Sequence, residues 1–526
     1  MKNHSILFLL LLLLPSCSDS LNFERRGNAG SDDGGLSHGM IVLGEQLEDP
    51  YSVENMTKAL EKLYPTKAGR IPLPSTNLYV RFLPRDDEQM KILESMGMPL
   101  LDHPVDFEIL KEGDYYHDPA IDEEAITWQY AVVDKDFEFP EGISYEILDN
   151  CYIPTDTPGT KADGIDWKAV EAESFRLTGN AGMLKSGAAS GSGVPKGRIT
   201  VLDELYSPEP VGVSGVRVSC NVFVKFDECY TDADGYYEMS RTFTSEPRYR
   251  LVFKNENGFA IGMNLIIVQA SVSTMGKCSV DGVDLEVSRN SDRSLFTRCV
   301  VNNAGYDYYG MCKTSDSGVT APPANLRIWI FQNLSMSAAV MFQQGAAIDR
   351  TIVGKFLGEY AFLVKMLLPD VLLGLRGKDD YSSVYAEAMH EFACASHYVK
   401  VTDEYWNKLM LYVLKSFITS GFVQYGSGTE ADHGYCEVAQ MWAYYMQTKM
   451  YRARYPDSSA LFGTNFWFRP QIFIYMDERG IDEHKIFSVL TTDIKDVGIL
   501  QDKLMYMYPE CKDIITQAFM RLWKSH

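Results

Sequence analysis

Residues 385–398 read YAEAMHEFACASHY, and this stretch decides how the second half of the chain is interpreted. It contains no Gly or Pro and is rich in Ala, Glu and Met, so we expect a helix. Residues four apart lie on one face of a helix, which makes His390 and Cys394 neighbours. Glu391 follows His390 directly, and His397 returns to the same face seven residues after His390. The stretch therefore predicts a helix that presents imidazole, carboxylate and thiol groups close together.

The spacing His390-Glu391-x-x-Cys394 differs at one position from H-E-x-x-H, in which two histidines bind zinc and the glutamate is the general base. A hydrolytic zinc site needs three protein ligands, an open position for water and a carboxylate that accepts the proton of that water. A thiolate at Cys394 is a good zinc ligand, but it donates more charge and should weaken activation of the water. His397 can replace Cys394 as the ligand or hydrogen-bond to it.

The candidate for the third ligand is Glu437, in the stretch GYCEVAQMWAYY at residues 434–445, and we expect a helix over 437–451. Glu437 lies among apolar neighbours, where a buried, unpaired carboxylate is destabilising and a bound metal would offset the cost. The stretches 385–398 and 434–445 together resemble the gluzincin metallopeptidases, in which a glutamate on a later helix completes the zinc site. The resemblance implies zinc ligands at His390, Glu437 and the Cys394 position, with Glu391 as catalytic base.

Three functions remain open from these residues. The first is a zinc metallopeptidase in which zinc-bound water attacks a peptide carbonyl and Glu391 carries the proton to the leaving amine. The second is an inactive pseudopeptidase that binds a protein or a glycan or has a structural role. The third is an adhesion protein in which the helical region is only a scaffold. A buried Cys and a partly buried His are also ordinary core residues, so the short motif alone is not decisive.

The N-terminus predicts export. Lys2 precedes an apolar run, Ile6 to Leu14, which is too short to span a bilayer but suits a signal peptide. The sequence Leu14-Pro15-Ser16-Cys17 resembles a bacterial lipobox, which implies removal of residues 1–16 and acylation of Cys17. We therefore expect a protein of the bacterial outer membrane or cell surface that is attached to the membrane by a lipid.

Composition narrows the class of partner. The formal net charge is −22, so a phosphate backbone would be repelled and nucleic acid is not an expected partner. At 526 residues the chain is too long for one ordinary core.

Nine cysteines remain besides Cys17, and an odd number leaves at least one unpaired. Two pairs close in sequence, Cys220 with Cys229 and Cys299 with Cys312, are candidates for local disulfides in an exported protein.

The middle of the chain changes to β-type composition. Residues 212–218 and 231–237, GVSGVRV and TDADGYY, resemble the carboxypeptidase regulatory-like, transthyretin-like β-sandwich, which usually serves as a spacer or adhesive domain. A Gly/Ser-rich stretch before it is typical of a flexible linker. The whole order, from lipobox to peptidase-like region, is similar to that of Bacteroidetes lipoproteins.

The sequence thus predicts a multidomain α+β protein whose C-terminal domain is mainly α-helical. Its predicted parts are a signal peptide (1–16), a tether (17–40), an N-terminal α/β region (41–180), a Gly/Ser linker (181–197), the β-sandwich (198–275), a cysteine-containing connecting segment of strands or loops (276–325) and a helical gluzincin-like domain (326–526).

Overall fold

The structure is a computed structural model that describes residues 39–68, 72–122, 125–154, 164–184, 192–262, 272–314, 316–332, 337–346, 369–419 and 424–522. The predicted signal peptide, the lipidation residue Cys17 and nearly all of the predicted tether lie outside these residues, as do residues 185–191 of the predicted Gly/Ser linker. The fold is mixed α+β, as the sequence predicts.

The N-terminal region pairs short antiparallel strands with short helices. Strand β2 (Asn77–Leu83) lies between β4 (Gln129–Asp134) and β5 (Ser144–Cys151), while β1 (Val42–Gln46) pairs separately with β3 (Phe107–Lys111). The helices of this region are α1 (Val53–Leu63), α2 (Pro65–Ala68), α3 (Asp87–Ser95) and α4 (Trp167–Leu177). Aspartate or serine caps begin α1, α3 and α4, because each side chain accepts a backbone hydrogen bond inside the first turn.

Two sheets follow, and their apolar residues share one core. The smaller sheet contains β6 (Lys196–Val201), β7 (Val211–Gly212), β10 (Tyr236–Glu238) and β14 (Leu285–Val287). The larger contains β8 (Val216–Val222), β9 (Lys225–Tyr230), β11 (Arg248–Asn255), β12 (Ala260–Gly262), β13 (Val272–Lys277), β15 (Arg327–Phe331) and β16 (Val371–Gly374). Strands β12, β15 and β16 run parallel to one another, and β16 ends the strand order of the larger sheet.

The larger sheet extends across the predicted domain boundaries. Strands β15 and β16 lie in the domain predicted to be helical (326–526), yet they extend the sheet that begins in the predicted sandwich. Both strands are short and mostly buried, and a short apolar run looks the same in a buried strand and in a buried helix.

The connecting segment also differs from the prediction. It contains the short strand β14, but its longest element is α5 (Arg293–Lys313), a helix of 21 residues that is buried around most of its circumference. Such a helix shows no amphipathic pattern. All nine cysteines of the described residues are free thiols. Cys299 and Cys312 lie on α5 itself, and 13 residues of helix separate them by about 20 Å, far beyond disulfide reach.

The C-terminal part is helical, as predicted. Its helices are α6 (Tyr381–Tyr398), α7 (Asp403–Thr419), α8 (His433–Arg454), α9 (Gln471–Asp477), α10 (Glu483–Val489), α11 (Val497–Met507) and α12 (Lys512–Leu522). Helix α6 packs against α5, α8 and strand β16, so it occupies the centre of the region. None of the described helices combines the length and the apolar character needed to cross a membrane.

Candidate functional site on the α6–α8 helix pair

The predicted site residues of α6 are all in the interior. Helix α6 begins at an Asp380 cap, whose carboxylate accepts the Ser383 amide hydrogen at 2.9 Å. His390 and Glu391 are each 3% exposed, Cys394 is 4% exposed and His397 is fully buried. The helix prediction over 385–398 is confirmed, and the observed helix begins four residues earlier.

Close packing against two neighbouring helices fixes the position of α6. A Cβ added at Gly305 of α5 would overlap the ring of Phe392, so the absence of a side chain there allows the two helices to approach. On the other side the indole N–H of Trp442 on α8 donates to the carbonyl of Ala393 at 3.1 Å. These contacts determine which residues of α8 face the predicted site.

Helices α6 and α8 run antiparallel, because Trp442 of α8 meets Ala393, whereas Tyr455, which caps the C-terminal end of α8, meets Tyr385 earlier on α6. In this arrangement Gln440 interacts with both His390 and Cys394, and Gln447 lies beside His390. The carboxamide side chains of α8 therefore face the histidine and the thiol of α6.

Burial determines the protonation of this cluster. It lowers the pKa of His390 to about 4, against opposing effects of Glu387, Gln440 and Gln447. Burial also raises the pKa of Glu391 well above its ordinary value; the neighbouring Glu387 raises it further and Lys378 lowers it. The pKa of the Cys394 thiol is raised in the same way by burial and then by Glu391. Burial therefore favours the uncharged form of all three groups.

Gln440 and Gln447 lie near the His390 ring, but several polar atoms of the cluster form no hydrogen bond of good geometry. They are both ring nitrogens of His390, Glu391 Oε2, Gln440 Oε1 and Gln447 Oε1. His390 Nε2 lies 3.9 Å from Glu391 Oε1, which is longer than a hydrogen bond. Both ring nitrogens of His397 are also unpartnered, and burial lowers the pKa of that ring to about 3. The packing of α6 against α8 thus encloses polar groups without satisfying them.

Glu437 does not join this cluster. Its side chain is influenced by His433, Asp496 and Arg469, and burial raises its pKa to about 7. The helix predicted to carry it is present and longer than expected, since α8 spans His433–Arg454. However, Glu437 lies nearly one turn before Gln440, toward the end of α8 that meets α11.

The residues present do not fit a three-ligand zinc site on α6 and α8. Zinc bond lengths of about 2.0–2.3 Å require the ligand atoms of one ion to lie within about 4 Å of each other. Ligand atoms of His390, Cys394 and Glu437 do not all lie within 4.8 Å of one another. The α8 residue that does face His390 and Cys394 is Gln440, whose neutral carboxamide is not among the usual zinc ligands.

Aromatic rings cover the cluster. The ring of Tyr444 lies 4.2 Å from the His390 ring, and Tyr425, Phe466 and Phe468 stack around Tyr444. Tyr425 has a positive φ of 65° although it is not glycine, a backbone conformation that costs energy and is held by its surroundings. Its carbonyl accepts hydrogen bonds from the Tyr412 hydroxyl and the Trp467 indole.

A second group of ligand-type residues lies in the N-terminal region. Among the described residues, only one group of three His, Cys, Asp or Glu side chains has its ligand atoms all within 4.8 Å of one another. It consists of Asp49, Asp149 and Cys151, and such a group can hold a metal ion. Burial, with smaller contributions from the nearby Asp149 and Asp106, raises the pKa of Asp49 to about 8.

Sequence reasoning identified the α6 residues and missed their partners. Gln440, Gln447, Tyr444 and Tyr425 have no motif of their own, and no pattern near Asp49 and Cys151 indicated that these distant residues meet. A signal for Gln440 existed, because it lies three residues after Glu437 and so occupies much the same helical face. A scan against protein-family models and searches of curated proteins and of solved structures found no match for this chain.

Proposed function

We propose that this chain is an exported lipoprotein whose C-terminal region is a pseudopeptidase, a peptidase-like domain that serves binding or structure rather than hydrolysis. The observation that carries the proposal is Gln440, which faces His390 and Cys394 where a third anionic or imidazole ligand would be needed. Cys394 stands at the position of the second histidine, and Gln440 stands at that of the third ligand. Two of the three ligand positions therefore differ from those of a hydrolytic zinc site.

The surroundings of the cluster support the same proposal. His390 and Glu391 are each only 3% exposed, and the Tyr444 ring lies directly against the imidazole. A hydrolytic zinc needs an open coordination position and a path for substrate and water. The aromatic cover formed by Tyr425, Tyr444, Phe466 and Phe468 leaves a histidine and a carboxylate in a closed interior instead.

A gain-of-binding experiment tests the proposal. The double variant Cys394→His with Gln440→Glu supplies two imidazoles and a carboxylate at the facing positions, and it should take up about one zinc ion per chain more than the wild type. The matched control is Cys394→His alone, which adds the second imidazole but keeps the neutral carboxamide at position 440, so it should gain less zinc than the double variant. Zinc content after dialysis, measured by mass spectrometry on folded protein, is the readout.

Two results would contradict the proposal. One is wild-type protein that carries zinc, loses it on His390→Ala substitution and cleaves peptides only when the zinc is present, which would favour the zinc metallopeptidase. The other is zinc that depends on Glu437, shown by its loss in the Glu437→Gln variant. The double variant remaining free of zinc while properly folded would mean that Gln440 does not occupy the position of a third ligand.

A structural zinc site is a second candidate function, favoured by the approach of Asp49, Asp149 and Cys151. A thiolate and two carboxylates are zinc-type ligands, and the group lies far in sequence from the α6 cluster. Zinc that is lost on Cys151→Ser but retained on His390→Ala would assign the metal to this group. The zinc experiments on α6 and α8 should therefore be carried out in the Cys151→Ser background.

The membrane attachment is part of the proposal and rests on the lipobox resemblance at Cys17. Metabolic labelling with radioactive palmitate should label the protein and move it to the membrane fraction. The Cys17→Ser variant should lose both the label and the membrane association.

A further inference from the structure

The outer edge of β16 is covered by a segment of the chain itself. Residues 337–346, which we call the strap, run alongside β16, and Ala338 and Leu372 exchange two backbone hydrogen bonds of 2.9 and 3.0 Å. Met341 and Phe342 donate further backbone hydrogen bonds to residues 370 and 369, just before β16. The strap therefore uses the hydrogen-bonding groups that β16 would otherwise expose at the end of the larger sheet.

Side-chain contacts from two helices close a groove around the strap. The Trp406 indole of α7 donates to the carbonyl of Ala339 at 2.8 Å. The Ser337 hydroxyl bonds to Glu387 of α6 and accepts from the backbone N–H of Gly374 in β16. The groove is thus formed by β16, α6 and α7. Its contact residue on α6, Glu387, lies one helical turn before Glu391.

The strap fills this groove in a specific pattern. Ala338 and Ala339 bring small side chains to the strand edge, and Ala339 is 2% exposed. Val340 and Met341 follow, and Met341 is completely buried. Residues 337–340 precede Met341, whose φ is positive, and a turn at residues 342–345, so the groove accepts a short extended backbone in which two small residues are followed by apolar ones. An edge strand flanked by apolar pockets is a common way of binding an extended peptide.

The strap is held in a strained form. Met341 has a positive φ of 53°, which a residue with a Cβ rarely adopts, and Gly345 has a φ of 98°. Only one residue of the strap, Ala338, forms a reciprocal backbone pair with β16. A short pairing combined with backbone strain is what allows another chain to replace a segment at a strand edge.

We propose that the groove between β16, α6 and α7 is a binding site for an extended peptide with two small residues followed by apolar residues, and that the strap is its intramolecular occupant. An external peptide binds when the strap leaves. This inference does not depend on zinc or on hydrolysis, so it stands whether or not the α6 cluster is a pseudopeptidase site.

The Ala338→Pro variant tests the proposal, because proline has no N–H to donate to Leu372. Its matched control is Ala338→Gly, which keeps the N–H and removes only the methyl group. The probe is a fluorescent synthetic peptide that copies residues 337–346, with a scrambled peptide for comparison. In the wild type and the glycine control the tethered strap competes with the peptide at high effective concentration. The proline variant should therefore bind the peptide at least about tenfold more tightly.

Hydrogen exchange at the Leu372 amide gives a second, local readout, because this N–H donates to the Ala338 carbonyl. It should exchange faster in the proline variant and become protected again when the peptide is added. If the proline variant does not fold, Ser337→Ala, which loses the contacts with Glu387 and Gly374, takes its place. A folded variant with a fast-exchanging Leu372 amide and no binding of the peptide would overturn the proposal. Equal binding of the scrambled peptide would also overturn it.

Discussion

Replacing Lys225 by methionine tests what holds the N-terminal region to the sheets. Lys225 of β9 is 1% exposed, and its ammonium lies 3.2 and 3.3 Å from the two carboxylate oxygens of Glu171 on α4, which is 3% exposed. The Tyr51 hydroxyl donates to the same carboxylate, and the Phe243 ring centroid lies 5.5 Å from the ammonium. The pair thus joins α4 to β9 in the protein interior.

The expected loss in the free energy of unfolding follows from the burial of the Lys225–Glu171 pair. Methionine keeps most of the apolar stem of Lys225 but removes the charge, so the carboxylate of Glu171 remains buried with only Tyr51 as a partner. Removing one partner of a buried ion pair costs about 3–5 kcal/mol of the free energy of unfolding. Adding Glu171→Gln removes the stranded charge while keeping an acceptor for Tyr51. The double variant should therefore recover at least about half of the loss.

The assay is urea unfolding of the wild type, both single variants and the double variant at neutral pH. Because a chain with several parts need not unfold in one step, hydrogen exchange of α4 and β9 should accompany the optical signal. The reasoning is refuted if Lys225→Met costs less than about 1 kcal/mol, which would be typical of a solvated pair. It is also refuted if the double variant is no more stable than Lys225→Met.

Two further predictions concern the protonation of His103 and the oxidation state of the cysteines. His103 is 3% exposed, and its ring nitrogens lie 2.7 Å from Asp102 Oδ1 and 3.3 Å from Arg250 Nη2; burial lowers its pKa below the ordinary 6.5. As the pH falls below 6.5 the unfolded chain gains this proton first, so the wild type should lose stability on acidification and His103→Gln should lose less, measured as urea midpoints. Because all nine described cysteines are free, thiol titration in denaturant should give the same count with and without prior reduction; a lower count without reduction would reveal a disulfide.

The sequence predicted the positions of the two helices that carry the candidate site. The stretch 385–398 lacks Gly and Pro, and the observed α6 begins only four residues before it. The helix expected over 437–451 extends in the structure from His433 to Arg454. Helix-forming residues without breakers determine where such helices lie, because propensity and burial agree over the whole length.

The facing residues were not predictable from spacing. Glu437 and Gln440 are three residues apart and share much of one face, so a motif cannot tell which of them meets α6. The choice depends on how α8 is rotated and shifted against α6, and long-range contacts such as Trp442 with Ala393 decide this. A carboxylate fits the expectation of a zinc ligand, which is why the sequence pointed to Glu437.

The elements that escaped prediction share a physical cause. Helix α5 is buried on most of its surface and contains Val, Asn, Tyr and Gly, so it has neither an amphipathic period nor strong helix propensity. Strands β15 and β16 are four or five residues long and lie in a part of the chain dominated by helices. In both cases tertiary packing, and not local pattern, determines the secondary structure.

The unpartnered atoms between α6 and α8 lead to a last prediction. A buried polar group without a hydrogen bond costs about 1–3 kcal/mol, and Gln440 Oε1 is such a group beside the equally unpartnered nitrogens of His390. If Gln440 has no ligand to bind, Gln440→Met, which has a similar volume and no carboxamide, should raise the free energy of unfolding by about 1 kcal/mol in urea experiments. Gln447→Met, beside the same ring, is the control for a second unsatisfied carboxamide and should act in the same direction. A loss of stability in the Gln440 variant alone would mean that its carboxamide holds water or an ion against His390, and the proposed pseudopeptidase would then have a ligand in its interior.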